Sequence, residues 1–235
     1  MGFPYKTIQR ESVADTAFKD KEVDDNTMKF IKHYSLEIYT VISISLITFS
    51  AIWIQPDTAQ RIILAYVFLF VLHEWEEGHY PGGFLELIAK LATGSADGIA
   101  PEISRGSRLY TGLYLLALTV IPYFLHQYTW LVLPAAFLGL LEGFVHIMGI
   151  KLFRLKKPYT PGMITAECEC LLTLYVFYYL GHYHFVRPIH YLFGFLLMLF
   201  GFMCMQRKLV HTVGKRYRDL PAMIKRTIRD LKDSK

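Results

Sequence analysis

The chain has 235 residues, 53% of them hydrophobic and 15% aromatic, with a formal net charge of +5 and positive mean hydropathy. That is rich for a soluble domain, and the apolar residues come in blocks, which excludes a disordered polar chain. Much of the positive charge lies beyond Gln206, where an anionic membrane surface accounts for it better than nucleic acid does.

In chain order, residues 1–35 are polar and of mixed charge. They lack the basic tip and apolar stretch of a secretory signal and are expected to be a cytosolic segment. Ile38–Ile54 is the first expected span. Ile62–Leu72 is wholly apolar for eleven residues and then runs into His73-Glu74-Trp75-Glu76-Glu77. It is too short alone, and spans only if that polar stretch is buried in protein and the helix continues through it. Leu109–Leu125, Tyr128–Ile150, Met163–Leu180 and Ile189–Met205 each approach or exceed the roughly 17–25 residues that cross hydrocarbon. The expected fold is therefore all-α, a polytopic membrane bundle of about six transmembrane helices occupying residues 36–205. Between spans two and three, Gly78-His79-Tyr80-Pro81-Gly82-Gly83 reads as a reentrant or interfacial loop. His182-Tyr183-His184 reads as a polar-aromatic cap on the outer side. Residues 206–235 form a basic tail in which Leu209, Val213, Leu220, Ile224, Ile228 and Leu231 recur at near-helical spacing, as in an amphipathic helix on the cytosolic leaflet. The three cysteines lie within or beside spans and are expected to be reduced.

Orientation follows from the cations. Alternate segments hold 23 Lys and Arg against 2, Arg61 and Arg187. An even number of spans with both termini cytosolic satisfies the positive-inside rule, and an odd number does not. Bacterial inner membrane and eukaryotic endomembrane both fit.

Charged side chains within hydrocarbon cost roughly 2.5–3.5 kcal/mol each, so a group of them needs a reason. In span two, His73, Glu76 and Glu77 fall at i, i+3 and i+4 and share a helix face. In span four, Glu142 and His146 do the same at i and i+4, with Gly139 and Gly143 nearby to admit a neighbouring helix. Counting inward, His73 lies about 18 Å and Glu142 about 21 Å from the outer ends of their spans, both in the cytosolic half. Span five brings Glu167 and Glu169 to that level from the other side. No Lys or Arg is expected at that depth. Clustered carboxylates without cations repel one another, and a divalent metal supplies the missing charge. Mixed His and Glu suit zinc first, with iron or manganese as alternatives, in a site of one or two ions.

His73-x-x-Glu76-Glu77, followed by His146 and by Pro161-Gly162-Met163-Ile164-Thr165-Ala166, resembles the HXXEE-domain family of integral membrane proteins over roughly residues 60–180. The resemblance implies a membrane-bound metal-dependent enzyme. On the face bearing Gly162, Thr165 and Ala166, Glu169 is central and Glu167 points away. The metal-ligand candidates are thus His73, Glu76, Glu77, Glu142, His146 and Glu169, with Glu76 or Glu77 as general base.

The leading expectation is a hydrolase of an amphiphilic or lipid-like substrate, embedded in the bilayer. The alternatives are a carboxylate-bridged di-iron oxidoreductase and an ion or metal transporter. Against transport, no ladder of polar residues continues outward through Ile62–Leu72.

Overall fold

The computed structural model describes residues 26–93, 101–153, 155–212 and 216–219, with positions 221, 222, 225 and 229. Every regular element among them is helical. The order is α1 (residues 26–33), α2 (Ser35–Trp53), α3 (Thr58–Gly78), α4 (Phe84–Thr93) and α5 (Pro101–Phe124). A 3₁₀ turn at Thr129–Val132 leads into α6 (Leu133–Leu152), and α7 (Met163–His182) and α8 (Pro188–Thr212) complete the bundle. Residues 1–25 and most of the basic tail lie outside the described residues, and with them most of the expected amphipathic helix.

Helix α3 starts sharply because Asp57 and Gln60 form a reciprocal cap. The Asp57 carboxylate accepts from Gln60 N at 2.8 Å, and Asp57 N donates to Gln60 Oε1 at 3.1 Å. The helix then runs unbroken through His73-Glu74-Trp75-Glu76-Glu77, about 31 Å in all. It packs against α2, α5 and α7, and Ile63, Tyr66, Val67 and Phe70 are almost completely buried on it. Two side-chain hydrogen bonds fix its rotation. Trp75 Nε1 donates to Thr40 Oγ1 on α2 at 2.9 Å, and the Tyr66 hydroxyl meets Thr173 Oγ1 on α7 at 2.9 Å. The motif's faces are therefore set by neighbours on both sides.

Helices α6 and α7 lie together at the spacing that small residues permit. A Cβ on Gly139 would stand 2.9 Å from Thr173 Oγ1, and one on Gly143 2.9 Å from Cys170 Cβ.

Four stretches are long and apolar enough to cross a membrane: α2, the turn with α6 (Thr129–Leu152), α7 and α8. Large apolar side chains such as Phe144, Leu171, Tyr178 and Phe200 point out of the bundle, the inverse of a soluble surface. Helices α3 and α5 are as long, but α3 contains Arg61, Glu74, Glu76 and Glu77, and α5 contains Glu102, Arg105 and Arg108.

Two features depart from the sequence expectation. Arg108, counted with the cytosolic loop, lies inside α5 and is buried against α3. Its Nη1 sits 3.4 Å from Glu74 Oε2 and donates to the Glu74 carbonyl at 3.0 Å. A cation therefore does reach the level of the motif, drawn in by a carboxylate and by the carbonyl end of α3. Helix α4 was not expected at all. It follows the Gly82-Gly83 turn and tucks its first residue, Phe84, into the bundle. The cysteines are free.

Candidate metal centre

The last turns of α3 and the middle of α6 each offer an i, i+4 pair, and the bundle turns the two pairs toward each other. His73 Nε2 lies 3.5 Å from Glu77 Oε1 and 3.9 Å from Glu142 Oε2. His146 Nε2 lies 3.2 Å and 4.0 Å from the same two atoms. One ligand atom from each of His73, Glu77, Glu142 and His146 lies within 4.8 Å of all the others, and no other such group occurs among the described residues. Tetrahedral zinc at about 2.0–2.1 Å places its ligand atoms about 3.3–3.5 Å apart. The observed separations bracket that value. The imidazoles are buried, while Glu77 and Glu142 retain 18% side-chain exposure, so the carboxylate side is the open one.

The α6–α7 connection closes the cluster from behind. Gly162 adopts φ +92°, and a Cβ there would fall 2.7 Å from Glu77 Cγ, 2.7 Å from His146 Cε1 and 3.0 Å from His73 Cε1. Only glycine fits both the backbone angle and the space. The Gly162 carbonyl lies 3.1 Å from His73 Nδ1, and Thr165 Oγ1 lies 3.0 Å from it. A carbonyl can only accept, so His73 carries its proton on Nδ1. Thr160 Oγ1 lies 2.9 Å from His146 Nδ1 and donates to the His146 carbonyl at 3.2 Å. A hydroxyl has one hydrogen, and with that hydrogen on the carbonyl its oxygen accepts from His146 Nδ1. Both imidazoles turn Nε2 into the cluster. Phe84 stacks on His146 with ring centroids 4.3 Å apart and shields it on another side.

This arrangement tests whether a cation fits. Two imidazole nitrogens and two carboxylate oxygens converge, and the buried His146 Nε2 has no hydrogen-bond partner. Two carboxylates so close together repel each other when charged, and a positive ion at the centre would offset that repulsion. The donor set suits a divalent metal, and the contacts that hold each Nδ1 are of the kind that orient metal-ligating histidines.

The other candidates are placed differently. Glu76 stands outside the cluster because its carboxylate caps α7. It accepts from Ile164 N at 3.1 Å, Thr165 N at 2.9 Å, Thr165 Oγ1 at 2.6 Å and the Tyr159 hydroxyl at 2.8 Å. The residue at the α7 N-cap, Gly162, has no side chain for that task, so Glu76 serves from another helix. Burial and this bond to Glu76 push the Tyr159 hydroxyl above its ordinary pKa, which keeps it a donor. With four hydrogen bonds accepted there, Glu76, expected as a ligand or base, is not one of the four converging residues. Glu169 is wholly buried with both oxygens unpartnered. It is not one of the four converging residues. Glu167 is only half-buried. His79 ends α3 and packs on Trp75 and Tyr80, and His182 and His184 are exposed. The sequence reading missed Thr160, Thr165, Tyr159 and Arg108. The P-G-x-x-T-A stretch marked the place of Thr165 and Gly162, but nothing local to the sequence marks the others.

Comparison with protein-family models, with curated proteins and with solved structures finds no match for this chain.

Proposed function

We propose that the chain is a six-span membrane protein, with α3 and α5 crossing beside the four apolar helices, and that it is a metal-dependent hydrolase acting on an amphiphilic or lipid-like substrate. The observation that carries this reading is the convergence of two imidazole nitrogens and two carboxylates, with His146 Nε2 left unpartnered. His73, His146 and Glu77 hold the ion, Glu77 being the carboxylate nearer to both imidazoles. A divalent ion there supplies Lewis-acid chemistry, polarising a carbonyl or phosphoryl oxygen and making water acidic enough to attack at neutral pH. Glu142, farther from both imidazoles and on the open side, is the general base. Zinc is the ion that best matches two histidines and a carboxylate. The H-x-x-E-E resemblance to the HXXEE-domain family supports the same reading. A site flanked by lipid-facing helices suits a substrate that enters sideways from the bilayer.

The test separates ligand from base. Glu77→Gln is expected to lose bound metal. Glu142→Gln is expected to keep it while hydrolysis of lipid esters or amides falls by about 10²–10⁴-fold, the usual worth of a general base. Metal content per chain measured beside turnover decides, and loss of metal in both variants would remove Glu142 from the base role.

A second reading, a di-iron oxidoreductase, draws on Glu169, whose two unpartnered oxygens add a carboxylate beside the four. Stoichiometric redox-inactive zinc in the purified protein excludes it.

The topology has its own check. Single cysteines at Lys90 and Lys156 are expected to react with a membrane-impermeant thiol reagent from the cytosolic side, and cysteines at Arg61 and Arg187 from the other. Labelling of all four from one side would overturn the six-span arrangement.

A further inference from the structure

The metal reading gives no part to Glu76 or Tyr159, yet hydrogen bonds that converge on Glu76 tie both to a ligand through Thr165. His73 Nδ1 lies 3.0 Å from Thr165 Oγ1, Thr165 Oγ1 donates to Glu76 Oε2 at 2.6 Å, and the Tyr159 hydroxyl donates to Glu76 Oε1 at 2.8 Å. Thr165 has a single hydroxyl hydrogen, and the Glu76 carboxylate at 2.6 Å is a shorter and stronger acceptor for it than the Gly162 carbonyl at 3.1 Å. The oxygen of Thr165 is therefore left to accept from His73 Nδ1–H. The chain then runs from His73 to Thr165 to Glu76, with the Nδ1–H shared between Thr165 Oγ1 and the Gly162 carbonyl.

We propose that Glu76, acting through Thr165, is the positioning carboxylate of His73. Its charge is passed through the threonine hydroxyl to the imidazole, which raises the donor strength of Nε2 and holds the ring plane toward Glu77 and Glu142. Tyr159, on the connection between α6 and α7, is the outer end of the relay and keeps the second Glu76 oxygen turned away from the ion. This inference rests on the metal reading of the same cluster. It also explains why one glutamate of an adjacent pair stands outside the cluster: Glu77 meets the ion directly, and Glu76 reaches it through two hydrogen bonds. The carboxylate–histidine arrangement of many metal centres is thus built here with a threonine between its members.

A capping role alone predicts something different. Thr165→Val removes the hydroxyl but keeps the Thr165 N–H that Glu76 accepts, so the α7 cap survives and only the relay is broken. The experiment titrates the full-length, metal-free protein in detergent micelles with cobalt(II). It reads the affinity, the visible ligand-field bands and the melting temperature without metal. Thr165→Val is expected to bind cobalt about 10–100-fold more weakly, with shifted bands and little change in metal-free melting. Thr165→Ser should restore both affinity and spectrum. Tyr159→Phe should weaken binding in the same direction by less, and it carries the test if the valine variant does not fold. Wild-type affinity and spectrum in Thr165→Val, or in Tyr159→Phe where that variant stands in, would overturn the relay while leaving the metal site intact. Wild-type protein that binds no cobalt would overturn the metal reading and the relay with it.

Discussion

Removing metal from the wild-type protein is expected to lower its melting temperature substantially, and His73→Ala and His146→Ala are each expected to abolish both metal binding and that response. The two imidazoles are the buried half of the cluster, and each supplies an Nε2 aimed at its centre. Without an ion, Glu77 and Glu142 remain close together in a low-dielectric interior. With it, binding to the folded state alone adds RT ln(1 + [L]/Kd), about 4 kcal/mol at a thousandfold excess over Kd. Replacing either histidine removes a ligand and leaves space beside two carboxylates, so neither variant should regain stability from added zinc. Metal content per chain, set beside melting with and without chelator, checks this. Wild-type protein with no stoichiometric metal and a melting curve indifferent to chelator would reduce the cluster to a proton-bonded network that merely holds helices together.

Gly162→Ala is expected to do comparable damage through a single methyl group. The residue sits at φ +92°, where an L side chain is strained by about 1–2 kcal/mol. The larger effect is steric, because the methyl would stand at 2.7 Å from both Glu77 Cγ and His146 Cε1. Neither atom is the free end of a flexible chain. Both imidazoles and Glu77 would have to retreat from the centre they define, and the Gly162 carbonyl would move from His73 Nδ1. Gly83 provides the control. It has φ +99° and nothing within 4 Å of its would-be Cβ, so Gly83→Ala carries the backbone strain without the collision. The expected result is loss of metal in Gly162→Ala and retention in Gly83→Ala, measured on protein of equal helicity. Equal metal content in the two variants would mean that the loop does not shape the site.

Helical periodicity made much of this centre readable. The i, i+4 pairs His73/Glu77 and Glu142/His146 can face inward only as units, and rise per residue put both at one depth, so their meeting followed from distances along the chain. Periodicity failed where 100° mattered. Glu76 and Glu77 differ by that angle, close enough to share a broad face in the sequence and far enough apart to meet different neighbours. Which one joined the cluster depended on where the start of α7 would dock, and its unsatisfied N–H groups claimed Glu76. Arg108 escaped for a related reason. Position along the chain put it at a membrane boundary, whereas its long side chain and the carbonyls ending α3 carried its charge inward. Helix α4 is only ten residues and depends on Phe84 seating against His146, a contact made across more than sixty positions. The run of long apolar segments was legible in composition alone, and four of those helices have the length and apolar content to span.

The way the donors are scattered along the chain sets the order in which the protein can be made. His73 and Glu77 leave the ribosome on α3, but Gly162 and Thr165, which align His73, follow about 85 residues later. At roughly 5–20 residues per second that interval is several seconds or more. During it, α3 holds Glu74, Glu76 and Glu77 with neither the α7 amides nor an ion to offset them, and Arg108 is the first partner to arrive. On the proposed six-span arrangement, stable insertion of α3 belongs to the end of synthesis rather than to its own turn. Truncated chains ending before α7 should leave this helix at the membrane surface, where cellular quality control would meet it.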